Sequence, residues 1–391
     1  MNRKDVEKRT FRKKLFKPKK MKFNIAVLPG DGIGPEITQQ SVKVLKAVAD
    51  RFDHEFNFEE AEVGAVAIDL LGDPLPESTL ELCKKSDAVL FGAIGDPKYD
   101  NDPSAKVRPE QGLLKLRKEL GLFANIRPVK VYENLIHKSP LKSENIEGAD
   151  MVIYRELTGG IYFGEKSTAE DGKSASDLCT YSVEEIERIA HLAFKAAEKR
   201  RKKLTLVDKA NVLETSRLWR KTVTEIAKDY PGVKVDYLFV DNAAMQMIVN
   251  PKQFDVILTE NMFGDIISDE ASVIGGSIGL LESASIGADN AMFEPIHGSY
   301  PQATGKGIAN PLASVLSAAM LLDHLNLKKE AETVRMAVEL SIKLNVCTND
   351  LNSDNHYSTE RVGDFLESVI SDTEGHIINN ENLNLGQMTI I

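Results

Sequence analysis

Phe254-Asp255-Val256-Ile257-Leu258 leads, through Thr259 and Glu260, into Asn261-Met262-Phe263-Gly264-Asp265-Ile266-Ile267-Ser268-Asp269-Glu270. The first stretch is short and apolar, as a buried strand would be, and the second has the spacing of a helix. Asp265 and Asp269 stand four apart, so on a helix their carboxylates lie one turn apart on one face. Like charges at that spacing repel, and a fold that keeps them needs a reason. A solvated acidic face is the common one. A divalent cation is the other, because Mg²⁺ and Mn²⁺ take oxygen ligands and are often held by one or two carboxylates together with a substrate.

Outward from this unit, strands and helices alternate along most of the chain. Apolar runs predict strands at 23–28, 56–63, 88–94, 123–132, 151–157, 204–207 and 233–240. Helical periodicity covers 35–51, 77–85, 109–120, 215–230 and 241–249, and a loop spans 96–106. Ser182 and Glu185 form a capping box, and the helix they open runs to Lys203, where a basic cluster suits the negative end of the dipole. Gly275, Gly276 and Gly279 mark a change of regime, after which helices are predicted over 311–325, 330–344 and 359–371. Such alternation is the pattern of an α/β architecture, helices covering a largely parallel sheet. The glycines of Pro29-Gly30-Asp31-Gly32-Ile33-Gly34-Pro35 are not spaced Gly-x-Gly-x-x-Gly, so they are a poor sign of a Rossmann site.

At 391 residues the chain has room for two domains and a sizeable core. No run of eighteen apolar residues spans a membrane. Cys83, Cys179 and Cys347 are far apart and follow no metal or redox spacing, which fits reduced thiols in a cytoplasm. The net charge of −10 divides into about +8 on residues 1–20 and −18 on the rest. An acidic body of that size argues against nucleic acid as the main partner. The basic leader has no apolar h-region and is read as a disordered extension over 1–21, and the Asn-rich 372–391 as a loose tail.

Around the acidic pair stand further groups that chemistry can use. Asp241, in Val240-Asp241-Asn242, lies where a strand passes into a helix, an address typical of site residues in α/β proteins. Alone it would usually be a helix cap. Arg127 and Arg155 fall in strand-like runs, where a buried charge needs a partner, and Arg117 closes a predicted helix. Guanidinium forks grip carboxylates in bidentate fashion, although internal salt bridges use them equally well. Lys209, just past a strand end, and Tyr162, flanked by Gly160 and Gly164, are candidates for proton transfer. For either one alone, a surface lysine or a packed aromatic is the ordinary reading. Together the set points to metal-assisted chemistry on a small di- or tricarboxylate.

Nine ordered blocks then carry a resemblance: LPGDGIGPE (28–36), RPEQGLLKLRK (108–118), LFANIRP (122–128), RELTGGIYFGE (155–165), VDKANVLE (207–214), VDNAAMQ (240–246), NMFGDIISDEAS (261–272), FEPIHGS (293–299) and GKGIANP (305–311). From about 21 to 371 the sequence resembles the isocitrate/isopropylmalate dehydrogenase family of metal-dependent β-decarboxylating dehydrogenases. The resemblance implies a two-domain α/β/α fold that is not Rossmann. A cofactor-side domain would comprise 22–122 plus 276–371, and a substrate and dimerisation domain 123–275. It implies a homodimer with shared active sites. Arg117, Arg127 and Arg155 would take the substrate's carboxylates, and Asp265 and Asp269, with Asp241 of a second subunit, Mg²⁺ or Mn²⁺. Lys209, also from the second subunit, would help remove the hydroxyl proton, and Tyr162 would protonate the enol after CO₂ leaves.

Glu110, Leu113 and Leu114, with Val212, offer an apolar surface suited to an isopropyl group, and RELTGGIYFGE matches the isopropylmalate branch of the family. The implied substrate is 3-isopropylmalate, in leucine biosynthesis, with D-malate, tartrate or isocitrate the neighbouring readings. Glu294, His297, Gly298, Ser299 and Asn310 match cofactor positions. Gln302 stands where most NAD-using relatives have an acidic residue that accepts from the ribose hydroxyls and repels a 2′-phosphate. It repels nothing, but no Lys or Arg replaces it, so NAD stays favoured over NADP.

Overall fold

The computed structural model describes residues 20–100 and 107–373. The expected basic extension (1–21) and loose tail (372–391) therefore lie outside the described residues, except for 20, 21, 372 and 373. Residues 101–106 of the expected loop lie outside them too, and its first part is a helical turn, Pro97–Asp100.

The first half of the chain order is β1 (Lys22–Gly30), α1 (Gly34–Phe52), β2 (Glu55–Glu60), α2 (Ala65–Leu71), α3 (Glu77–Lys85), β3 (Ala88–Ala93), α4 (Pro109–Glu119), β4 (Ala124–Lys130) and β5 (Asp150–Glu156). A small hairpin, β6 (Lys166–Thr168) and β7 (Ala175–Asp177), comes next. It is followed by α5 (Val183–Lys199), β8 (Lys203–Asp208), α6 (Glu214–Ile226), β9 (Lys234–Phe239), α7 (Val240–Val249), β10 (Val256–Thr259) and α8 (Asn261–Ser272). The chain closes with β11 (Glu282–Ile286), β12 (Ala291–Pro295), α9 (Leu312–His324), α10 (Lys328–Lys343) and α11 (Thr359–Ser371).

Ten strands form one sheet in the order β2-β1-β3-β12-β11-β4-β5-β10-β8-β9. Most neighbours are parallel. The exceptions meet in the middle, where β11 runs antiparallel to β12 and β4, and β4 antiparallel to β5. Helices cover both faces, so the strands read as apolar runs whose alternate residues feed different cores. In β1, Ile25 and Val27 join the core under α1, α9, α10 and α11, whereas Ala26 and Leu28 join that under α3 and α4. In β10, Val256 and Leu258 face α5 and α6, where Phe194 and Trp219 pack, and Ile257 faces α7 and α8, beside Met247 and Ile267. Among the described residues no helix is long and apolar enough to cross a membrane.

The capping box is made: Glu185 N donates to Ser182 Oγ at 3.2 Å and Ser182 N to Glu185 Oε2 at 2.7 Å. The helix it opens is shorter than its periodicity, ending at Lys199 rather than Lys203. Arg200 turns aside to Asp255 (2.8 Å) and Asp150 (2.7 Å), because Asp255 is buried and needs a counter-charge. Strands β11 and β12 have no counterpart in the sequence reading. Ser283 and Ser285 break any apolar run, and both are buried only because the sheet closes around them. The glycine run is a packing device. Gly32 has φ +59°, and a Cβ there would sit 2.0 Å from Ser299 O.

Candidate active site

Antiparallel register sets Arg127 opposite Ile153 and Asn125 opposite Arg155, so both guanidiniums leave the same face, toward α8. Arg155 Nη1 donates to Asp265 Oδ1. Arg127 Nη1 donates to Asp269 Oδ1 at 3.2 Å and to Ser268 Oγ at 2.6 Å. Each aspartate of the i,i+4 pair thus meets an arginine, which resolves the repulsion its spacing raised. Burial pulls both guanidiniums below their usual range, Arg155 to about 10, so Arg155 stays cationic at neutral pH. Tyr162, on the turn Gly160–Tyr162, donates from Oη to Asp265 Oδ2 at 3.0 Å. Burial, and then the negative charge of Asp265, raise its pKa, so the phenol keeps its proton.

Arg117, in the last turn of α4, donates from Nη2 to Glu294 Oε1 on β12 at 2.8 Å. A chamber of about 130 Å³ gathers Leu113, Arg117, Arg127, Glu294, His297 and Gly298. Glu294, expected at the cofactor, is therefore walled in beside the arginines. A wider cleft of about 500 Å³ is lined by Ile33, Ile278, His297, Gly298, Tyr300, Ile308, Asn310 and Asp350. The two cavities share His297 and Gly298. His297 Nδ1 donates to Gly298 O at 3.0 Å, while its Nε2 is buried without a partner. Burial lowers the ring's pKa, which keeps it neutral. At Gly298 a Cβ would meet nothing within 4 Å, so the backbone there is open to a ligand. Asn310 Nδ2 donates to Asp350 Oδ2 at 2.9 Å, and Ser277 Oγ donates to the same oxygen at 2.8 Å.

Other expected residues stand apart. Lys209 Nζ donates to Asp241 Oδ1 at 2.6 Å, which holds the Asp241 carboxyl below its usual range. Among the described residues neither bonds to Asp265, Asp269 or the three arginines, and no group of three metal-type side chains converges within this chain. Val212 is 61% exposed on the Lys209 turn, its N–H donating to Lys209 O at 2.9 Å. Leu114 and Glu110 are exposed on α4, and Glu110 Oε1 lies against Gly95. Ser299 lines neither cavity. It is buried, and its carbonyl accepts from Ile33 N at 2.8 Å. Gln302 is exposed on the turn Pro301–Ala303 and also lines neither cavity.

Several residues of the site carry no sequence signal of their own. Asn125 Oδ1 accepts from Arg127 Nε at 2.7 Å and is steadied by Ser283 and Ser285. Asn261 holds Arg155. Asp350, Ile278 and Tyr300 reach the cleft from separate loops. The Asn at the head of the acidic helix was the one available hint, since an amide before a charged helix often bonds to something nearby.

The isocitrate/isopropylmalate dehydrogenase family model matches residues 24–366, and the chain belongs to that family. A 3-isopropylmalate dehydrogenase of Bacteroides fragilis is 57% identical over 352 residues, 90% of this chain and 99% of that protein. One of Bacillus subtilis is 52% identical over 357 residues, 90% of this chain and 98% of that protein. Among solved structures, an isocitrate dehydrogenase from Methylococcus capsulatus superposes with a TM-score of 0.80 at 34% identity, covering 89% of this chain and 99% of that one. A β-decarboxylating dehydrogenase from Thermococcus kodakarensis gives 0.75 at 39%, covering 90% and 96%.

Proposed function

We propose that this chain oxidatively decarboxylates (2R,3S)-3-isopropylmalate to 4-methyl-2-oxopentanoate with reduction of NAD, a step of leucine biosynthesis. The observation that carries the reading is the arginine chamber set beside the wider cleft, with His297 and Gly298 lining both. A diacid held by Arg117, Arg127 and Arg155 then lies next to a cleft of about 500 Å³ for the dinucleotide. The orphaned His297 Nε2 and the open backbone at Gly298 suit that ligand. Asn310 and Asp350, bonded to each other, give the groove one polar patch among isoleucines.

Asp265 and Asp269, with Asp241 of a second copy, form the oxygen donor set that Mg²⁺ or Mn²⁺ prefers. When bound, such an ion supplies Lewis acidity at the substrate's C2 oxygen, and NAD supplies the hydride acceptor. The chain's own residues do the rest. The arginines orient the carboxylates. Lys209 Nζ takes the C2 hydroxyl proton as hydride leaves C2, and the resulting β-keto acid loses the carboxylate on C3 as CO₂. Tyr162 Oη, kept protonated by burial and Asp265, returns a proton to C3.

The reading includes a homodimer. Met245, Ile248 and Val249 on α7 and Ile266 on α8 stand exposed as an apolar face, which a two-fold copy would cover while bringing in Lys209 and Asp241. It also includes two domains, 22–122 plus 276–371 on the cofactor side and 123–275 for substrate and dimerisation, in a cytoplasmic protein that uses neither nucleic acid nor a membrane. The test is a panel of 3-isopropylmalate, isocitrate and D-malate with NAD and NADP, run with EDTA and with Mg²⁺ or Mn²⁺ restored. 3-Isopropylmalate with NAD is expected to lead kcat/KM, and activity to vanish with EDTA. An apolar pocket discriminates by only about tenfold to a few hundredfold, so homologous alkylmalates should react weakly. Isocitrate or D-malate ahead by tenfold overturns the reading.

A further inference from the structure

Arg155 is gripped by an acceptor that carries no charge. Oδ1 of Asn261, the first residue of α8, accepts from Arg155 Nε at 3.0 Å and from Nη2 at 2.8 Å. Those bonds occupy one edge of the fork, and on its other side Nη1 donates to the Asp265 carboxylate. Asn261 is 1% exposed, so water does not compete for it. Its Nδ2 donates to Gly159 O at 3.2 Å, and its backbone N–H to Tyr181 Oη at 3.0 Å. Gly159 immediately precedes the turn that carries Tyr162. One amide therefore touches the arginine on one side and the support of the phenol on the other.

The neutrality of this partner matters. On the other face of the sheet Arg188 pairs with Glu156 at 3.0 Å and Arg220 with Asp208 at 2.8 Å. At Arg155 and Arg127 amide and hydroxyl oxygens, from Asn261, Asn125 and Ser268, join the carboxylates of Asp265 and Asp269. An aspartate at 261 would fit nearly the same space and make the same two bonds to Arg155, but it would set an oxygen against Gly159 O, where Asn261 Nδ2 donates. It would also add a second negative charge, beside that of Asp265, to the guanidinium that a substrate carboxylate needs to meet.

We propose that Asn261 is a positioning residue of the reaction: it fixes the Arg155 fork without cancelling its charge, and through Gly159 it sets the turn that presents Tyr162. The proposal rests on the roles given above to Arg155 and Tyr162. Asn261→Asp is expected to raise KM for 3-isopropylmalate at least tenfold while KM for NAD moves less than twofold. Asn261→Ala, which loses both ties, is expected to raise the same KM and also to lower kcat at least tenfold. A merely structural residue would lower Tm without separating the two KM values.

An Asn261→Asp enzyme whose KM for 3-isopropylmalate stays within twofold of wild type overturns the proposal. Should that variant not fold, as judged by circular dichroism and gel filtration, Asn261→Ser decides by the same split. Its shorter hydroxyl cannot reach both Nε and Nη2 of Arg155, and a substrate KM raised less than threefold refutes the role. If the wild type prefers isocitrate or D-malate, the proposed function fails while the variants, assayed on that preferred acid, still judge Asn261. A wild type that oxidises none of the three removes both.

Discussion

Strands β5, β10 and β8 lie side by side and end in two rows of residues, one position apart, that face opposite ways. Arg155, Thr259 and Val207 are level with one another and face α7 and α8. One step on, Glu156, Glu260 and Asp208 are level on the side of α5 and α6, and all three are buried. In the second row charge is closed off: Glu156 is met by Arg188 and Asp208 by both arms of Arg220, at 2.8 Å each. Glu260, between them, has no cation among the described residues, and one of its oxygens is buried without a partner there. In the first row the cation Arg155 is steadied by a neutral amide and faces the chemistry. The two-residue period of a strand lets neighbouring positions serve opposite ends, one row holding the sheet and the other holding a substrate.

The sharpest way to break that contrast is on the chemical side. Asp265→Asn is expected to lower kcat on 3-isopropylmalate by about a thousandfold or more, with an unchanged elution volume on gel filtration. Near-normal turnover of this variant in chelator-treated buffer would remove the metal from the reading. Tyr162→Phe removes one proton donor and should cost about a hundredfold in kcat, with little change in KM. Full activity there would mean the proton comes from elsewhere.

On the structural side the effects should fall on stability. Arg220→Met leaves the buried Asp208 uncompensated and is expected to cost about 3 kcal/mol in urea unfolding, while KM for NAD stays near wild type. The smallest effect belongs to Glu260. Burial first, and then Asp208 and Glu156, push its pKa from 4.5 up to about 7. The folded carboxyl then binds its proton more tightly than the unfolded one does. Its contribution to stability is fully present below pH 4.5 and is lost as pH rises to about 7. Glu260→Gln keeps the neutral shape, so it should match wild type near pH 4.5 and exceed it by about 2 kcal/mol near pH 8. Equal stabilities at both pH values would show that Glu260 has a hidden counter-charge.

The chemical row was legible in the sequence, and the structural row was not. Arg155, Asp265 and Asp269 are conspicuous because charge in an apolar run, or like charge at helical spacing, demands a reason. Glu156, Asp208 and Glu260 sit beside them in the chain, yet nothing in a linear pattern says which way each faces. Register decides that, and register depends on which strands are neighbours. The same cause hid β11, whose Ser283 and Ser285 look like loop residues until Asn125 on β4 is placed beside them. Arg200 was legible as a cation near a helix end, but its partner Asp255 is 55 residues away and is found only in the fold. Lys209 and Asp241 were legible as types, and the single chain joins them to each other rather than to the arginines.

The shared wall of His297 and Gly298 has a stereochemical consequence. If a diacid fills the arginine chamber and a nicotinamide the neighbouring groove, the wall they share limits which side of the substrate carbon can face the ring. Handedness at that carbon, and the side of the ring that receives hydride, would then both depend on an uncharged imidazole and a residue without a side chain.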